Sequence, residues 1–217
     1  MSENKNILII SGGSIDYKWA SEWLKNRKYD YVIAADRGLM HADKLGLKVD
    51  FILGDYDSVD TSVLDQYRKN TQTVTYPREK DYTDTHIAVL RAIEKKPDAI
   101  DILGATGTRY DHAMTNIYIM KAALDQKINC TIYDPNNRIY LANHSFSIER
   151  KEQYGDYLSF VPMTEKVVIT LENVKYPLDH YVLEQGLSIC QSNEIIGEHA
   201  RIRLDQGTVV VYETRDR

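Results

Sequence analysis

The chain has 217 residues, 43% hydrophobic and 27% charged, the balance of an ordinary soluble globular protein with room for one large or two modest domains. Its formal net charge of −5, with no long basic run, argues against a general nucleic-acid binder, which needs a basic face. The two cysteines, Cys130 and Cys190, have neither metal-ligand spacing nor the look of a disulfide framework and read as reduced thiols.

Ahead of Ile7-Leu8-Ile9-Ile10 the N-terminus holds no signal-peptide core, and no stretch approaches the roughly 20 apolar residues of a membrane span. A cytoplasmic protein with no membrane partner is expected. Ile7–Ile10 reads as a buried strand, followed by the turn Ser11-Gly12-Gly13-Ser14 and a helix over Tyr17–Asn26. Tyr31–Ala35 is a second strand, and Leu39–Leu45 a short helix stopped by Gly46. Phe51–Leu53 is a third strand, with a helix from Ser62 to Lys69 after it, and Thr73–Tyr76 a fourth. Thr83 or Asp84 caps the next helix, whose Ile87, Leu90 and Ile93 recur at helical spacing. Ile100–Leu103 precedes a helix over Asp111–Gln126, and Ile128–Tyr133 closes the series. Repeated β-α-β units predict an α/β domain over residues 1–136, a parallel sheet with helices on both faces.

From residue 137 to 217 short alternating strands replace helices: Arg138–Ala142, Ser145–Ile148, Tyr157–Val161, Val167–Leu171, Leu187–Cys190, Ala200–Leu204 and Val209–Tyr212. A smaller, all-β, sandwich-like domain is expected there.

Polar chemistry gathers at the strand ends. Gly54-Asp55-Tyr56-Asp57-Ser58 follows the third strand, and carboxylates just past a strand's carboxyl end lie where open α/β sheets bind ligands. Their oxygens suit a hard cation such as Mg2+; taken alone, a polar turn explains the segment equally well. Asp36-Arg37-Gly38, Lys80-Asp81-Tyr82-Thr83-Asp84 and Gly104-Ala105-Thr106-Gly107-Thr108-Arg109-Tyr110-Asp111-His112 follow other strands. A parallel sheet would bring these segments to one edge, where so many carboxylates repel one another without a cation. Backbone N–H groups of the Gly104 segment can cradle phosphate, and Arg109 can add a fork of donors or pair structurally with Asp111. His112 taken by itself reads as a packed polar residue. One of Asp81 and Asp84 can equally be a helix cap, and Ser11-Gly12-Gly13 is a common kind of turn. No Gly-x-x-x-x-Gly-Lys-Ser/Thr loop or Gly-x-Gly-x-x-Gly turn occurs, and Ser11 and Ser58 lack a nucleophile-elbow context.

In order and spacing these strand-end motifs closely resemble thiamine pyrophosphokinase, and Val174-Lys175-Tyr176-Pro177-Leu178, Gly186-Leu187-Ser188 and Ser192-Asn193-Glu194 resemble that family's second domain. The resemblance implies Mg2+-dependent transfer of pyrophosphate from ATP to thiamine, giving thiamine diphosphate and AMP, in a homodimer of α/β and β-sandwich domains. It implies that Asp55, Asp57 and Asp84 bind Mg2+, with Asp36 and Asp81 close by. It places Arg109, Asp111 and His112 at ATP, with Gly38, Thr83, Gly104, Thr106 and Gly107 shaping the nucleotide pocket. Asp55, Asp57, Asp81, Asp84 and Arg109 would carry catalysis, and Lys80, Ser192 and Asn193 would hold thiamine. The chain departs from the family in carrying Cys190-Gln191 before Ser192, and no aromatic partner for the thiamine ring stands near Ile195-Ile196. A metal-dependent phosphohydrolase and a non-catalytic nucleotide sensor are the competing readings.

Overall fold

The computed structural model describes residues 5–57, 59–77 and 79–216, in two compact units, Met1–Pro135 and Asn136–Arg217. The first unit alternates strands β1 (Asn6–Ile10), β2 (Tyr31–Ala35), β3 (Phe51–Gly54), β4 (Gln72–Thr75), β5 (Ala99–Leu103) and β6 (Asn129–Tyr133) with helices. These are α1 (Tyr17–Leu24), α2 (Gly38–Lys44), α3 (Thr61–Arg68), α4 (Asp84–Glu94), α5 (Tyr110–Ile119) and α6 (Lys121–Asp125). All neighbouring strands pair in parallel, in the order β4-β3-β2-β1-β5-β6.

Ile7, Leu8, Ile9 and Ile10 are all 0% exposed although alternate residues of a strand point to opposite faces. Both faces of the sheet are therefore covered at β1, which is why β1 reads as an unbroken apolar run. A parallel sheet sends the carboxyl ends of all its strands to one edge, and this brings residues 11, 36, 55 and 104 together.

The second unit contains β7 (Asn137–Ala142), β8 (Phe146–Glu149), β9 (Tyr157–Pro162), β10 (Lys166–Glu172), β11 (Leu178–Glu184), β12 (His199–Gln206) and β13 (Val209–Thr214). Antiparallel β13 pairs with β7 and β9, while β11-β10-β12-β8 form a four-stranded sheet. Leu158, Phe160, Val209 and Val211 pack with Ile169, Leu171, Leu183 and Ile202 in one core, the interior of a β-sandwich.

Two expectations are corrected. Leu187–Cys190 is not a strand: Gly186, Cys190 and Ser192 have φ of 91°, 71° and 51°, and Leu187 and Ile189 are 48% and 41% exposed. The strand of that region is β11, an edge strand in which Leu183 alone is buried, so its sequence shows no apolar alternation. The helix expected over Asp111–Gln126 is divided at Met120 into α5 and α6. Among the described residues no helix is long and apolar enough to cross a membrane.

Candidate active site

The loop after β1 is sewn to the loop after β5. Ser11 N donates to Leu103 O (2.8 Å), Gly13 N to Gly104 O (2.7 Å) and Ser14 N to Thr106 O (2.8 Å). This contact requires glycine at position 13, because a Cβ there would stand 2.4 Å from the carbonyl oxygens of both Gly104 and Thr106. From the other side, buried Ser11 shares a 2.5 Å hydroxyl–hydroxyl contact with Thr85 in the first turn of α4. Asn116 of α5 donates to Ala105 O (2.7 Å), and Thr106 Oγ1 to Asp134 (2.9 Å), fixing the Gly104 loop from behind. These loops wall a cleft of about 820 Å3, lined among others by Ser11, Asp36, Asp55, Lys80, Asp84 and Arg109. That volume lies within the usual range for small-molecule and cofactor sites.

Asp36, Asp55 and Asp57 each bring one carboxylate oxygen to within 4.8 Å of the others. Their backbone is specialised for this: Asp36 (φ 48°) and Tyr56 (φ 63°) are left-handed, a conformation rare for a bulky side chain. Tyr56 is held there by burial and by its hydroxyl, which donates to Val74 O of β4 at 2.7 Å. Asp57 N donates to Asp55 Oδ1 (3.2 Å), so the turn folds on itself. Ser58 lies outside the described residues. Burial raises the pKa of Asp36, and the carboxylates of Asp84, Asp55 and Asp57 raise it further.

Thr83 is the cap of α4, accepting from His86 N at 3.2 Å, which leaves Asp84 in the first turn facing the cleft. Burial raises the pKa of Asp84 although Lys80 Nζ stands 3.1 Å from its Oδ1 and opposes the shift. Asp81 is exposed on the cleft wall.

Arg109 grips Asp111 with Nε at 3.2 Å and Nη2 at 2.5 Å. The guanidinium holds the exposed Asp111 carboxyl down to about 2. Arg109 and His112 line the cleft, together with Thr106 and Gly107, while Gly38 is buried where α2 starts against β1. Local sequence patterns give no sign of Thr85, Asn116 or His41, whose roles rest on contacts between separate segments.

In the second unit Ser192 is exposed and donates its N–H to Ser159 Oγ (2.9 Å). Asn193 is 1% exposed and its amide is spent locally. Its Oδ1 accepts from Tyr176 N and Glu194 N (both 3.0 Å), and its Nδ2 donates to Tyr176 O (2.9 Å). Tyr176 thus has both backbone groups clamped while the residue stays 59% exposed. A Val174–Ile195 bridge places it beside the segment that lacks an aromatic residue of its own.

Comparison with known proteins gives the same outline. Residues 23–132 match the model of the thiamin pyrophosphokinase catalytic domain, and residues 143–209 that of the thiamin pyrophosphokinase vitamin B1 binding domain. The thiamine pyrophosphokinase of Bacillus subtilis (strain 168) is 30% identical over 187 residues, 85% of this chain and 87% of that protein. The crystal structure of thiamine pyrophosphokinase from Bacillus subtilis superposes with a TM-score of 0.87 at 28% identity, covering 98% of this chain and 100% of that one. That of the thiamin pyrophosphokinase from Geobacillus thermodenitrificans gives 0.84 at 26% identity, covering 97% and 98%. The chain belongs to the thiamin pyrophosphokinase family, whose reaction is the transfer of pyrophosphate from ATP to thiamine.

Proposed function

We propose that the cleft of the first unit binds ATP with Mg2+, and that its carboxylates and Arg109 carry the transfer to thiamine. The observation that carries this reading is the convergence of Asp36, Asp55 and Asp57 within 4.8 Å. Oxygens sharing one octahedral Mg2+ stand no more than about 4.2 Å apart, so small side-chain adjustments bring the three into range. Asp84 joins the same electrostatic cluster. In place the ion would neutralise triphosphate oxygens and offset the mutual repulsion that burial intensifies.

The reaction forms a bond from the thiamine hydroxyethyl oxygen to the β-phosphorus and breaks the bond from that phosphorus to the oxygen retained by AMP. Arg109, already positioned by Asp111, stabilises charge that develops on transfer. The hydroxyl proton goes to Asp84 or Asp81; the raised pKa of half-buried Asp84 favours it over exposed Asp81. Gly38, Thr83, Gly104, Thr106, Gly107 and His112 shape the nucleotide site.

The second unit would hold thiamine, in keeping with its match to the vitamin B1 binding domain. Ser192 would contact it directly. Asn193, with its amide already engaged, would act by fixing Tyr176, whose exposed ring offers a stacking face. Family resemblance supports a homodimer in the cytoplasm.

The test is Asp57→Asn. Asp57 is exposed, so the variant should fold normally while thiamine diphosphate formation falls at least about 100-fold. Near-normal turnover at saturating Mg2+ would overturn the metal assignment.

A further inference from the structure

Lys and Arg side chains line the cleft at three positions among the described residues, Arg37, Lys80 and Arg109. Two of these cations are matched by carboxylates of the chain itself. Lys80 Nζ stands 3.1 Å from Asp84, and Arg109 Nη2 stands 2.5 Å from Asp111. Arg37 is the exception. Its exposed side chain has no hydrogen bond or ion pair with any described residue, although Asp36, Asp55 and Asp84 line the same cleft. Its root is nevertheless fixed. Met40 N donates to Arg37 O at 3.0 Å, and a Cβ on Gly12 would stand 3.1 Å from Arg37 Cβ, so the glycine turn packs against the start of the side chain.

The surroundings give the chemistry of the anion that Arg37 would meet. Adjoining the cleft is a recess of about 340 Å3 lined by Tyr17, Arg37, Met40, His41 and Lys44, with no carboxylate among these residues. Buried His41 supports the glycine turn through Gly13 and Gly12. Burial keeps its imidazole below the ordinary pKa, and Arg37 and Lys44 lower it further, so both cations act on this one recess. Positive charge here directly follows Asp36, whose carboxylate converges with those of Asp55 and Asp57. Carboxylates for a metal on one side and free cations on the other complement a metal-bound polyphosphate. In such ligands the ion bridges β- and γ-oxygens, so the cation next to the carboxylate cluster is placed for those two phosphates. Arg109 lies in the loop after β5 and Arg37 in the loop after β2, on opposite sides of β1 and its glycine turn.

We propose that Arg37 is a binding residue for the pyrophosphoryl half of ATP, its guanidinium gripping the β- and γ-phosphates that are transferred. The inference rests on the reading of this cleft as the nucleotide site and adds a direct contact to the transferred group from the β2 side. A planar fork of donors suits phosphate oxygens in pairs, which a lysine at the same place would not match. The contact explains why this arginine alone among the cleft cations has no partner within the chain.

The test uses the full chain with Mg2+ and without thiamine, measuring ATP affinity by calorimetry and the affinities of inorganic pyrophosphate and AMP by competition. Arg37→Ala should weaken ATP and pyrophosphate about tenfold or more, the usual worth of a hydrogen bond to a charged group, and leave AMP within about twofold. Arg37→Lys keeps the charge without the fork and should recover only part of the loss. With no partner in the chain to lose, the ligand-free Arg37→Ala protein should melt within about 1 °C of the unsubstituted one. Unchanged ATP and pyrophosphate affinities in Arg37→Ala would overturn the proposal. So would an equal loss for AMP, which would make Arg37 a contact of the AMP half or a source of general attraction. A large fall in ligand-free melting temperature would overturn it as well, by making Arg37 a structural residue. Failure of the unsubstituted chain to bind ATP would overturn the nucleotide-cleft reading itself.

Discussion

Gly13 N donates to Gly104 O at 2.7 Å, and that bond ties the loops following two neighbouring parallel strands into one wall of the cleft. That wall depends on close backbone approach. Gly13→Ala puts a methyl group 2.4 Å from two carbonyl oxygens and must push the loops apart. ATP affinity should fall by one to two orders of magnitude, on the order of the loss of several backbone hydrogen bonds to phosphate. Gly46, just past α2, is the control: it has φ 66° and nothing near its Cβ position. Gly46→Ala should cost about 1 kcal/mol of stability and leave ATP binding alone. Calorimetry and thermal unfolding of the two variants measure the contrast.

Crowding of carboxylates should show as a stability cost in metal-free protein. Asp36 has a folded-state pKa above its unfolded value, through burial first and the neighbouring carboxylates second. The folded state therefore binds the proton more tightly. This contribution is stabilising at low pH and is lost as pH rises from the unfolded pKa through the folded one. Asp36→Asn removes it, and asparagine tolerates the left-handed backbone at position 36. In chelator at pH 7 the variant should melt higher than the unsubstituted chain, with the advantage shrinking toward pH 4. A lower melting temperature at pH 7 would contradict the electrostatic account.

Arg109 and Asp111 form an exposed pair, with side chains 69% and 64% accessible. Such pairs contribute little to stability. Arg109→Ala should leave the melting temperature within about 1 °C while lowering turnover about 100-fold, as expected for a group that stabilises transferring phosphoryl charge. Loss of stability without loss of turnover would return the pair to a structural role.

Asn193 and Tyr176 should separate in the opposite sense. Asn193→Ala leaves part-buried backbone groups of Tyr176 and Glu194 without these partners and should destabilise the second unit by about 2 kcal/mol. Tyr176→Ala removes only an exposed ring, so stability should hold while the KM for thiamine rises about tenfold. Denaturant titration and thiamine-dependent kinetics distinguish the two.

Much of this architecture is legible in the sequence, for physical reasons. Ile7–Ile10 and Phe51–Leu53 are covered on both faces, so burial writes itself as unbroken apolar runs, and the parallel topology then brings Asp36, Asp55 and Asp57 to one edge. β11 is hidden because an edge strand burying only Leu183 has no pattern to read. The Ser11–Thr85 and Tyr17–His41 pairs join positions 74 and 24 residues apart, and local spacing carries no trace of them. The nearness of Tyr176 to Ile195 is likewise hidden, because the Val174–Ile195 bridge, not chain proximity, brings the two segments together.

The most direct test is product analysis of the purified protein with ATP, Mg2+ and thiamine, with and without chelator. The account predicts AMP and thiamine diphosphate in equal amounts, both dependent on thiamine and both abolished by chelator. ADP as the nucleotide product, or ATP consumption indifferent to thiamine, would contradict it.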